Sequence, residues 1–88
     1  MTKTRLLELS DGHLSLEIAS ADRRRVAETI RSLFGTPKIE LLAPFGATHS
    51  FGGERFVFQD EWDDPCLISK SEQGNAILRR LAEALNSN

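Results

Sequence analysis

With 88 residues the chain is expected to form a single domain spanning 1–88, of a size that buries only about 60% of the surface its unfolded form would expose. Hydrophobic residues make up 40% and charged residues 27%, which excludes intrinsic disorder as the default state. The formal net charge of −2 excludes the bulk basicity of a general nucleic-acid binder, so no nucleic acid is expected as a partner. A lone cysteine, Cys66, rules out an intrachain disulfide and favours a reducing, cytoplasmic setting. No apolar run reaches the ~18 residues of a membrane span and no export signal is visible at the N-terminus, so no membrane association is expected.

Thr4 to Ser10 and His13 to Ala19 flank Asp11-Gly12, a dipeptide suited to a two-residue hairpin turn. If Ser10 faces His13, then Leu9 stands opposite Leu14, Leu7 opposite Leu16 and Arg5 opposite Ile18. Most apolar side chains then share one face, with Leu6 the exception. Ser20 offers an N-cap for a first helix, in which Val26, Ala27, Ile30, Leu33 and Phe34 form an apolar stripe. Gly35 and Pro37 supply its stop.

Lys38 to Ala43 alternates as a half-buried strand. Ala47 to Phe51 and Glu54 to Gln59 form a second hairpin around Gly52-Gly53, or else Pro44 to Gly53 is a glycine-rich loop. Cys66, Leu67 and Ile68 make a short strand-like run. Ser69 and Glu72 have the spacing of a capping box for a last helix striped by Ile77, Leu78, Leu81, Ala84 and Leu85. The expected fold class is α+β: an antiparallel sheet of four or five strands with two helices on one face, in the order ββαβββα or ββαββα.

The chemistry concentrates in Asp60, Glu61, Trp62, Asp63 and Asp64, four carboxylates around one indole at the end of the apolar strand Phe56-Val57-Phe58. A tryptophan offers a large, rigid apolar contact, and the carboxylates around it would steer a cationic partner. The pattern points to a basic protein partner. The plainer alternative is a solvated loop with Trp62 folded onto the core.

No metal is expected there, because the EF-hand spacing and its central glycine are missing, and no cofactor motif is present elsewhere. Arg23, Arg24 and Arg25 are a secondary candidate patch. They suit phosphate near a helix start, or the acidic segment of a second copy in a homodimer. Cys66 with His49, or the Asp/Glu cluster, is the enzymatic alternative, although no catalytic residue is assigned because no spacing specifies one. A self-associating structural subunit is the third reading.

The stretch Gln59 to Leu81, with Asp-Glu-Trp-Asp-Asp-Pro-Cys-Leu-Ile-Ser followed by Gly74, Ile77 and Leu78, resembles small uncharacterised bacterial proteins, some of which act as immunity partners of toxins. The resemblance covers about a quarter of the chain and adds to the protein-binding reading, with a toxin as the partner class it implies; a nuclease-like toxin is the partner expected if the carboxylates occupy the place of phosphate. No site residue is carried over from it.

Overall fold

The computed structural model describes residues 4–41, 46–61 and 64–86, the side chains of 60, 61 and 64 excepted. Arg5–Glu8 (β1) and Leu14–Glu17 (β2) pair as an antiparallel hairpin, one residue out of the expected register. Leu6 stands opposite Leu16, Leu7 opposite Ser15 and Glu8 opposite Leu14. The turn is the cause. Leu9 N–H donates to the His13 carbonyl at 2.8 Å, and Gly12 N–H returns to the Leu9 carbonyl at 3.0 Å with Gly12 at φ 86°. Three residues therefore connect the strands, a turn closed by a left-handed glycine, which is the next most common hairpin link after the two-residue one. Asp11 Oδ1 accepts the His13 N–H at 3.0 Å and holds the turn. In consequence Leu6 packs against the core, while Leu7 lies on the opposite face, 37% exposed.

Ser20 does not cap the first helix. It opens a 3-10 turn, Ser20–Asp22, that leads directly into Arg23–Phe34 (α1). Asp22, immediately before α1, makes no capping bond. Its carboxylate instead accepts from Thr4 Oγ1 at 2.7 Å, while that hydroxyl accepts the Ala19 N–H at 3.0 Å, tying the start of β1 to the start of α1. Gly35 ends α1 at φ 89°, its N–H bonded to the Arg31 carbonyl.

Four strands follow: Lys38–Leu41 (β3), Ala47–Phe51 (β4), Glu54–Glu61 (β5) and Asp64–Ser69 (β6). Gly52 and Gly53, at φ 63° and 81°, form the two-residue turn that joins β4 to β5, with Phe51 opposite Glu54. The sheet has six antiparallel strands in the order β1-β2-β6-β5-β4-β3, and the chain reads ββαββββα. Six replaces the expected four or five because the stretch from Ala47 is strand rather than loop and the Cys66 to Ile68 run extends in both directions.

Glu72–Asn86 (α2) closes the fold. The expected capping pair of Ser69 with Glu72 is not formed. Ser71 caps the helix, its Oγ accepting the Gly74 N–H at 2.9 Å, and Ser69 is buried within β6.

The registers place Leu14, Leu16, Ile18, Phe51, Phe56 and Leu67 on one face of the sheet. Val26 and Ile30 of α1 and Leu78, Leu81 and Leu85 of α2 join them in a single core, so both helices cover the same face. Phe51 stacks on Phe56 at 4.4 Å and meets Phe34 of α1 at 5.7 Å. No helix among the described residues is long and apolar enough to cross a membrane.

Candidate functional site: the end of the central hairpin and the hollow beside it

β5 and β6 are the two central strands, and among the described residues their ladder outruns both neighbours. β4 accompanies β5 as far as Ala47 opposite Phe58, and β2 accompanies β6 as far as Glu17 opposite Cys66. The β5–β6 pairing continues through Gln59 opposite Cys66 and Asp60 opposite Pro65 to Glu61 opposite Asp64. Three of the five acidic-segment residues, Asp60, Glu61 and Asp64, thus occupy the last two rungs of a projecting arm. Trp62 and Asp63 lie outside the described residues.

Pro65 is tolerated in this arm because its rung is one whose amides would not bond across to β5. Its carbonyl points the other way and accepts the Ile18 N–H at 2.9 Å, which anchors the base of the arm to the end of β2.

Beside that base, a half-open hollow of about 220 Å³ lies between α1 and the sheet. Ile18, Ile30, Phe58 and Leu67 make it apolar, Ile39 of β3 closes its far side, and Arg23 and Arg31 of α1 reach it from above. Its volume is below the ~300–1,000 Å³ of sites that enclose drug-sized ligands. His49 of β4 forms part of the wall, stacked on Phe58 with ring centroids 4.7 Å apart and planes at 22°. Burial pushes the His49 pKa below its ordinary 6.5, because the imidazolium would lose hydration among apolar neighbours.

The three consecutive arginines are not gathered into one patch. Successive helical residues point about 100° apart, and each meets a different environment. Arg23 borders the hollow and Arg24 is exposed, whereas Arg25 Nη2 donates to the Leu85 carbonyl in the last turn of α2. A cation at a helix C-terminus interacts favourably with the helix dipole, so Arg25 joins the two helices rather than waiting for a ligand.

Cys66 and His49 are also kept apart. Cys66 stands opposite Gln59 and His49 opposite Phe56, positions of opposite parity on β5, so the two side chains occupy opposite faces of the sheet. Cys66 is buried between Glu17 and Gln59. The thiolate pair considered from the sequence therefore does not assemble. His13 lies 3.7 Å from the Asp11 carboxylate beside the first hairpin turn. Among the described residues no three His, Cys, Asp or Glu side chains converge to hold a metal ion.

Two features escape the sequence patterns. Ser69 and Asn75 form a buried polar cluster under the first hairpin, and Ile39 and Leu41, which alternate like half-buried strand residues, are 54% and 87% exposed. Ile39 pairs with His49 and Leu41 with Ala47, which puts both on the helix-covered face, yet α1 does not extend over β3. Only the strand order, with β3 at the edge, could have revealed this. No protein-family model, curated protein or solved structure matches the chain.

Proposed function

We propose that the protein is a small non-catalytic binding protein of inhibitory, immunity-like type, which docks the acidic end of its β5–β6 arm onto a basic protein surface. The observation that carries this reading is the overrun of the central ladder, which sets Asp60, Glu61 and Asp64 beyond both flanking strands, with Trp62 and Asp63 between them in sequence. An arm built from the two central strands is held at its base on both sides, by β2 and by β4. A partner that binds phosphate, such as a nuclease-type toxin, presents clustered cations, and carboxylates can take the place of phosphate there. The setting is the cytoplasm, in keeping with a single buried cysteine.

The test is affinity capture from the native host with three baits. These are the wild-type chain, Trp62→Ala, and a variant carrying Asp60→Asn, Glu61→Gln, Asp63→Asn and Asp64→Asn. A basic protein retained by the wild type and lost from both variants is the expected result. Retention of the same proteins by all three baits removes the arm from the binding surface.

A further inference from the structure

We infer that the free edge of β3 pairs with the β3 edge of a second copy of this chain, antiparallel about a two-fold axis, with Ile39 opposite Ile39 of the other copy. The edge is bare. β3 ends the sheet at Lys38–Leu41, and Ile39 and Leu41 stand 54% and 87% exposed beside it.

The direction of its unpaired amides follows from the register. The two-residue turn at Gly52-Gly53 is flanked by a hydrogen-bonded pair, Phe51 with Glu54, so Phe51, His49 and Ala47 bond to β5 while Ser50 and Thr48 bond to β3. Lys38 and Glu40 receive those bonds, which leaves the N–H and C=O groups of Ile39 and Leu41 pointing outward. With Ile39 at the axis, the two Ile39 residues exchange both of their bonds. Each Leu41 N–H then meets the Pro37 carbonyl of the other copy, while the Leu41 carbonyl faces the proline nitrogen and is left to solvent at the end of the four-residue ladder.

The side chains select the same register. On the open face of the sheet Lys38 stands opposite Glu40 of the second copy, twice over by symmetry. On the helix face Ile39 meets Ile39, and Leu41 meets Pro37. Sliding by one step in either direction would centre the axis on Lys38 or on Glu40 and set like charges opposite each other, which is disfavoured. Charged residues usually protect an edge strand from pairing, but here the two charges are of opposite sign and two positions apart, so they block the other registers and favour this one.

The opposite edge, β1, has no such solution. Centred on Leu6 it sets Arg5 against Leu7, and centred on Leu7 it sets Glu8 against Leu6. An isologous contact through β3 alone closes as a dimer, without propagating into fibres. It also brings the two hollows together across the axis, since Ile39, Pro37 and His49 line each of them.

Sedimentation equilibrium up to millimolar concentration, on the full chain, tests the pairing. A reversible monomer–dimer equilibrium is expected. Lys38→Glu and Glu40→Lys are each expected to weaken it about tenfold or more, since each substitution converts two attractive cross-strand pairs into repulsive ones. The double exchange is expected to restore it. Register is read by disulfide formation. Residues 38 and 40 of different copies face each other in a non-hydrogen-bonded pair with Cα atoms about 4.5 Å apart, within disulfide reach, while two residues 38 lie beyond about 7 Å. A mixture of the Lys38→Cys and Glu40→Cys variants should cross-link, and either alone should not. All these positions are exposed, so the variants retain the fold. A monomer at every concentration, a dimer indifferent to both charge changes, or Lys38→Cys cross-linking to itself would each overturn the inference.

Discussion

The side-chain amide of Asn75 donates to the carbonyl of Gly12 at 3.1 Å, which fastens the first turn of α2 to the turn of the first hairpin. Its Oδ1 accepts the Leu14 N–H at 3.2 Å and bonds the buried Ser69 hydroxyl, whose oxygen also accepts the Leu14 N–H at 3.0 Å. Leu14, Ser69 and Asn75 are all buried. Replacing Asn75 by Leu removes the main acceptor of the buried Ser69 hydroxyl, one of the two acceptors of the Leu14 N–H and the donor to the Gly12 carbonyl, and should cost about 1–3 kcal/mol. Urea unfolding measures it, and an unchanged midpoint would show that the cluster contributes nothing to stability.

Gly74 occupies the face of α2 nearest the sheet. A Cβ there would stand 3.2 Å from Ser71 Oγ, 3.3 Å from Ser69 Cβ and 3.4 Å from the Phe56 ring. In an open helix interior Gly→Ala gains about 1 kcal/mol. Here the neighbours are the capping hydroxyl and two buried side chains that cannot retreat, so Gly74→Ala should instead lose about 1–2 kcal/mol. A stabilised variant would mean that α2 can lift from the sheet without penalty.

Leu6 and Leu7 distinguish the two registers of the first hairpin. In the observed one, Leu6 packs on the core and Leu7 faces outward. Leu6→Ala should lower stability by about 1–2 kcal/mol, while Leu7→Ala stays within about 0.5 kcal/mol of wild type. Thermal melts of the pair decide it, and the reverse ranking would restore the two-residue turn.

His49 makes stability depend on pH. Its folded pKa lies below the ordinary 6.5 because burial disfavours the imidazolium, so between the two values the unfolded chain holds a proton that the folded chain does not. Stability therefore rises with pH through this window and falls as pH drops below 6.5 toward the folded value. His49→Phe keeps an aromatic ring on Phe58 and removes the titration. The stability of wild type relative to this variant should diminish as pH is lowered from about 7.5 to about 5, with His13 and the carboxylates cancelling in the difference. A constant difference across that range would mean that His49 is protonated equally in both states.

The elements that could be read from the sequence are those written in local signals. The stripe from Val26 to Phe34, its stop at Gly35 and the glycine turn between Phe51 and Glu54 are each specified by residues within a few positions of one another. Asp11-Gly12 misled for an instructive reason: the same dipeptide serves a two-residue turn and the end of a three-residue one, and the choice moved every side chain of β1 to the other face. Ser69 was similarly ambiguous, since a short polar side chain can cap a helix or bond a distant strand, and only tertiary placement decides between them. The projection of Asp60, Glu61 and Asp64 beyond their neighbours was illegible, because it depends on where β2 and β4 stop rather than on anything in the acidic segment.

The most direct test of the acidic arm is the salt dependence of association with the basic protein captured by the wild-type chain. Stopped-flow measurement should show a wild-type association rate that falls steeply with ionic strength, as expected for electrostatic steering by clustered carboxylates. The variant with Asn or Gln at 60, 61, 63 and 64 should associate slowly at low salt and respond weakly to its increase. Equal rates and equal salt slopes for the two proteins would contradict docking through the arm.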